Sequence, residues 1–148
     1  MPETIACGFD HAGVPLHDVV LDAVRAAGYE PLDVGTRDDY PDTASDVCAA
    51  VLDGRAKRGV IVCGSGAGVS VAACKITGIR AACAHDCYTA AQCVTHDDCN
   101  ALCLGARVVG SALAAELVKA YLGASFSGEE RHVRRIGKIA ALERTGKP

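Results

Sequence analysis

The chain has 148 residues, half of them apolar, and a formal charge of −3 at neutral pH. That length suits one compact unit of the common size of about 100–150 residues, so residues 1–148 are read as a single domain. The weak negative charge excludes a general attraction to nucleic acid or to an anionic membrane surface, and no apolar run approaches the roughly 18 residues of a spanning helix.

The opening "MPETIACGFD" has neither the basic start nor the apolar centre of a signal peptide, which predicts a cytoplasmic protein. The nine cysteines are odd in number and form no Cys-x-x-Cys, so a disulfide scaffold is not expected. Most stand among Ala, Val and Leu, where a thiol behaves as a small buried hydrophobe. A zinc site drawn from Cys83, His85, Cys87, Cys93, His96, Cys99 and Cys103 is the sharper alternative, but their spacing lacks the paired knuckles of structural zinc sites.

In chain order, "TIACGF" (4–9) reads as a first strand, and "PLHDVVLDAVRAAG" (15–28) as an amphipathic helix with Pro15 in its first turn and Gly28 at its stop. "EPLDV" (30–34) is a second strand, followed by a shorter helix near 42–53. "GVIVC" (59–63) is a third, with a helix over 67–76; "IRAACA" (79–84) is a fourth, with a helix over 88–95. "ALCLG" (101–105) and a helix over 111–122 complete the series. The strands are continuous apolar runs, as in strands covered on both faces. The alternation predicts a three-layer α/β/α, Rossmann-like fold around a five-stranded parallel sheet. After the break "GASFSG", residues 128–145 carry a helical stripe of Val133, Ile136, Ile139, Ala140 and Leu142 opposite a charged face, and a partner subunit is its natural recipient.

Ligands of open parallel sheets gather beyond the carboxyl ends of the strands. The polar candidates there are Asp10 and His11, the Cys63–Gly68 loop, His85 and Asp86, and Arg107. Asp33 and Thr36 are expected to shape a turn after the second strand, and Asp86 also suits a helix cap. The loop "CGSGAG" is not a dinucleotide fingerprint, because Val69 stands at the sixth position of G-x-G-x-x-G, and it lacks the Gly-Lys-Ser/Thr of a phosphate-binding Walker loop. Gly64, Gly66 and Gly68 let backbone amides line a concavity at a helix start, which stabilises an anion. A thiol at its lip, Cys63, is favoured as thiolate and suits a base or a nucleophile. Ser65 adds a hydroxyl donor, His96 lies beside acids in "THDDCN", and Arg131 and Arg135 lie one helical turn apart, a spacing that can grip a phosphate.

Together the blocks "GFDHAG", "DYPD", "CGSGAGVSVAACK", "GIRA", "THDDCNALCLGARVVG" and "RHVRR" resemble the type B ribose-5-phosphate isomerases, which share a fold with the galactose-6-phosphate isomerase subunits. The resemblance implies a homodimer or homotetramer with shared active sites, a C-terminal helix used in dimerisation, and no metal or nucleotide cofactor. It implies aldose–ketose isomerisation of a phosphorylated sugar through an enediolate, with ribose 5-phosphate first and tetrose, allose or galactose phosphates open; a non-catalytic subunit of the same fold is the alternative. Cys63 is then the base that moves the proton, the Gly64–Gly68 amides with Ser65 are the anion hole, and His96 assisted by Asp10 opens the sugar ring. His11, Arg107, Arg131 and Arg135 are the phosphate clamp, while Asp97, Asn100 and Tyr40 border the sugar. Val69 stands where one branch of the family has a glutamate, so the chain resembles the cysteine branch. Asp97 and Cys74 replace the usual asparagines; a carboxylate only accepts hydrogen bonds, so Asp97 bears on hydroxyl preference.

Overall fold

The computed structural model describes all 148 residues. Five strands form one all-parallel sheet in the order β2-β1-β3-β5-β4, as the sequence predicts: β1 (Thr4–Asp10), β2 (Glu30–Arg37), β3 (Arg58–Cys63), β4 (Ala81–Cys83) and β5 (Ala101–Gly105). Helices α1 (His17–Ala26), α2 (Tyr40–Leu52), α3 (Ala67–Ala73), α4 (Cys87–Asp97) and α5 (Ser111–Gly123) form the crossovers, and α6 (Glu130–Thr145) follows the last of them.

Alternation along the strands divides the core between the two faces of the sheet. Ile5, Cys7, Phe9, Val60, Val62, Leu102 and Leu104 pack under α1, α4 and α5. Ala6, Ile61, Cys63, Ala101 and Cys103 face α2 and α3. On that second face the backbone must come close: a Cβ on Gly8 would lie 2.5 Å from Val47 Cγ2, and one on Gly59 would meet the same side chain.

Three elements differ from expectation. The second strand runs on to Arg37, because a register shift after Cys7 leaves Val34 as an extra residue and lets pairing resume at Gly35, whose φ is +96°. Asp33 and Thr36 therefore lie within β2; Asp33 Oδ1 accepts the Gly35 amide at 2.9 Å and so supports the bulge. The fourth strand shortens to three residues, since Arg80 is held by loop contacts instead: its amide by Asn100 and its guanidinium by Asp98. The first helix is preceded by a 3-10 turn at Val14–Leu16 that carries Pro15, and it stops before Gly28 at φ +89°. In its sixteen residues α6 buries only His132, and it leaves Val133, Ile139 and Leu142 exposed.

Candidate active site

The strand order reverses between β1 and β3, where successive crossovers leave in opposite directions, and the carboxyl ends at such a switch point are where ligands of open parallel sheets bind. Cys63 is the last residue of β3, and His11 follows the last residue of β1. The two loops touch: a Cβ on Gly64 would lie 3.4 Å from that of Ala12 and 3.5 Å from Arg107 Cδ. Gly13 packs directly on the Val62 carbonyl, leaving no room for a side chain.

The thiol is buried, and its sulfur accepts the Gly66 amide at 3.1 Å. Gly66 itself stands at φ +79°, the helix-capping position from which the chain enters α3. Ser65 Oγ accepts the Ala67 amide at 3.1 Å, which leaves its O–H free to donate. Two of the amides expected to line an anion hole are thus engaged by the loop's own side chains, and the Gly66 amide supports negative charge on sulfur first. The Cys63 and Gly64 carbonyls accept the amides of Ala106 at 2.9 Å and Arg107 at 3.0 Å, which fixes the Arg107 backbone beside the loop. The Tyr40 ring lies over Gly68, where a Cβ would come within 2.9 Å of it, so this aromatic borders the loop. Asp10 is buried and accepts the Gly13 amide at 2.8 Å, and exposed His11 bonds the Asp38 carbonyl through Nδ1 at 3.1 Å. His85 Nε2 accepts the Gly105 amide at 2.9 Å, bracing the strand next to Cys63, and Asp86 caps α4 through the Thr89 amide at 2.7 Å. Cys83 lies against the back of the same loop, 3.9 Å from the Ser65 carbonyl.

The remaining expected residues are at the other end of the sheet. Helix α4 runs back against the strand direction, so His96 and Asp97 at its carboxyl end stand near the start of β5, where the Asn100 carbonyl accepts the Gly59 amide at 2.8 Å. The length of β5, at ~3.3 Å per residue, separates this end from Cys63 by roughly 13 Å. Asp10 and His96, expected to act together, are therefore apart within one chain. Both ends of the Asn100 side chain are used: Oδ1 accepts the Arg80 amide at 2.8 Å, and Nδ2 donates to the Gly78 carbonyl at 3.0 Å. In this chain that amide braces the loop before β4.

Around His96 the start of α6 gathers. The His96 and His132 rings stack with centroids 4.1 Å apart at 27°. Arg131 is paired with Glu129 at 3.0 Å and Arg134 with Glu130 at 2.9 Å, whereas Arg135 has no ion pair. His132 is the functional candidate that sequence reading passed over; its signal was its place four residues before Ile136 on the inward stripe. Burial lowers its pKa from the ordinary 6.5, reinforced by His96 and Arg131 nearby. A concavity of about 840 Å³ also belongs to this end: Ile136, Ile139 and Leu142 of α6 line it together with Cys74, Ile79 and Ala82, and Cys63 does not. The nine cysteines are unpaired thiols, and no three His, Cys, Asp or Glu side chains converge in a group that could hold a metal ion.

Fold and loop together define a parallel α/β enzyme with a buried, amide-supported thiol at its strand-order switch. The chain belongs to the Ribose/Galactose Isomerase family, whose model matches residues 5–139, and so to the aldose–ketose isomerases. It is 44% identical over 144 residues to ribose-5-phosphate isomerase B of Escherichia coli, covering 94% of this chain and 95% of that one. It is 37% identical over 132 residues to D-erythrulose-4-phosphate isomerase of Pectobacterium atrosepticum, covering 84% and 86%. Among solved structures, the type B ribose 5-phosphate isomerase of Trypanosoma cruzi superposes with a TM-score of 0.94 at 41% identity, covering 99% of each chain.

Proposed function

We propose that this chain interconverts ribose 5-phosphate and ribulose 5-phosphate, at sites built between two copies, in the cytoplasm. The observation that carries the chemistry is the Cys63 sulfur on the Gly66 amide at the switch point. In the open aldose, the Cys63 thiolate takes the C2 proton and the electron pair moves onto O1, giving an enediolate; a proton passes from O2 to O1, and the thiol returns its proton to C1. Ser65 and the free first-turn amides at Gly68 and Val69 stabilise the developing oxyanion without reorganisation. A closed sugar has no carbonyl, so the ring opens first: His96 of a second copy protonates the ring oxygen as the C1–O bond breaks, and Asp10 of the chain that holds Cys63 assists by accepting the O1 proton. His11 and Arg107 hold the phosphate from the carboxyl end, and Arg131 and Arg135 of the second copy close on it. Residues 1–148 act as one domain, and α6 packs on the neighbouring copy. The separation of the Cys63 and His96 ends supports a homodimer or homotetramer.

A tetrose phosphate is the second reading, favoured by exposed Asp97, which has no partner in the chain, and by the erythrulose-phosphate relative. Assay of the purified protein on tetrose, pentose and hexose phosphates decides between them. Highest kcat/KM on ribose 5-phosphate is expected; turnover confined to a tetrose or hexose phosphate transfers the assignment, and no turnover on any supports a non-catalytic subunit.

A further inference from the structure

We propose that His132 is a positioning residue for His96: a permanently neutral imidazole, stacked under the His96 ring, that makes the pair carry a single proton and leaves that proton on His96. The inference rests on the reading of His96 as the ring-opening acid.

His132 is 2% exposed on a helix that is otherwise solvated, so its burial is specific. The Ser127 hydroxyl lies 2.6 Å from Nδ1 and is itself fixed, because its oxygen accepts the Glu129 amide at 3.2 Å and the Ser127 amide donates to the Thr95 carbonyl at 3.0 Å. The same residue thus ties the chain ahead of α6 to the last turn of α4, one residue before His96. Nε2 of His132 is buried with no partner at all. An imidazolium there would place a charged N–H in a buried site with nothing to accept it, which is far costlier than an unpaired neutral nitrogen. The surrounding charges agree. Arg131 and Arg135 on its own helix and His96 on α4 oppose a cation at His132, and Glu129 alone favours one, while itself paired to Arg131.

Stacked rings 4.1 Å apart repel if both are charged, whereas a neutral ring under a charged one attracts it. Half-buried His96 reaches solvent; His132 does not. The proton therefore resides where it can be delivered, and the stack holds the donor ring in one plane.

The test uses the intact oligomer with isotope-labelled histidine. NMR titration between about pH 5 and 8, the range in which imidazoles ordinarily change charge, should show His96 taking a proton while His132 stays neutral. His132→Ala should lower kcat on ring-closed substrate by roughly ten- to a hundredfold, part of the ~10²–10⁴ that acid–base catalysis contributes, and change the shape of the kcat–pH profile. His132→Phe, which keeps a neutral stacked ring, should restore most of kcat and the profile, with KM unchanged in both. Ser127→Ala, an exposed substitution, should loosen the His132 ring and give a smaller loss in the same direction even if His132→Ala fails to fold. Protonation of both rings over the same range overturns the proposal, as does a His132→Phe defect equal to that of His132→Ala, or a raised KM in His132→Phe, which would make His132 a phosphate ligand. Normal turnover by His96→Asn would overturn the ring-opening reading instead, and the titration would still decide the single-proton stack.

Discussion

At the scale of single residues, the chemistry narrows to a sulfur and its amide. Cys63→Ala and Cys63→Ser should lose kcat by at least about 10²-fold with KM little changed, since a positioned base typically contributes ~10²–10⁴; steady-state kinetics check this, and near-normal turnover would remove Cys63 as the base. Arg135, free of any ion pair, is available to a phosphate, so Arg135→Ala should raise KM for phosphorylated sugars roughly ten- to a hundredfold, the worth of a charged hydrogen bond. An equal loss on unphosphorylated sugars would contradict that role. Outside the site, His17 bridges Asp33 at 2.6 Å and Asp18 at 2.8 Å, and these hydrogen bonds, Asp33 first, raise its pKa above the ordinary 6.5. Its contribution to stability is complete below about that value and fades as pH rises through the raised one. Buried His132, with a lowered pKa, acts in the opposite sense: its contribution is present above the ordinary value and is lost as pH falls toward the lowered one. Melting temperature followed across pH should therefore show an alkaline-side decline that His17→Asn removes; an unchanged decline would exclude the bridge. Cys63 and its glycines were legible in the sequence because backbone freedom and thiol chemistry are written in residue types. The engagement of the Gly66 amide by the thiol was not, because it depends on the backbone path from Cys63 to Gly66, which residue types do not fix.

At the scale of elements, apolar runs and helix stops announced the βα units, and the errors fall where a distant contact overrides local pattern. The bulge at Cys7 and Gly8 lengthens β2, and the grip of Asn100 and Asp98 on Arg80 shortens β4; neither is local in sequence. Close packing of α2 on the sheet was invisible for the same reason. Gly59→Ala would drive a methyl group into Val47 and should destabilise by about 1–3 kcal/mol in urea denaturation. A variant as stable as the parent would show that α2 can shift. Between β3 and α5, buried Arg58 donates to the Tyr121 carbonyl at 3.1 Å and the Ala124 carbonyl at 3.0 Å, closing the carboxyl end of α5 where helix carbonyls lack partners. The Tyr121 hydroxyl itself is buried without a partner. Tyr121→Phe should thus leave stability unchanged or raise it by up to about 1 kcal/mol, and a clear loss would reveal a hydrogen bond to the hydroxyl.

At the scale of the whole molecule, the expected site residues fall into two groups at opposite ends of the sheet. The carboxyl end of the sheet presents Cys63, Ser65, Asp10, His11, Arg107 and Tyr40; the other end presents His96, Asp97, Arg131 and Arg135 beside an open apolar groove. Sequence reading named both sets and, through the family resemblance, expected sharing between subunits, but residue order alone could not say which residues face which end; the direction of α4 does. The most direct measurement mixes two inactive variants, Cys63→Ala and His96→Asn, by co-expression or joint refolding. In a two-fold dimer with shared sites, each mixed dimer regains one intact site, so random pairing should return about a quarter of the parent activity. Mixed dimers as inactive as either variant alone would mean that Cys63 and His96 serve the same site from one chain, and would contradict the two-half-site arrangement.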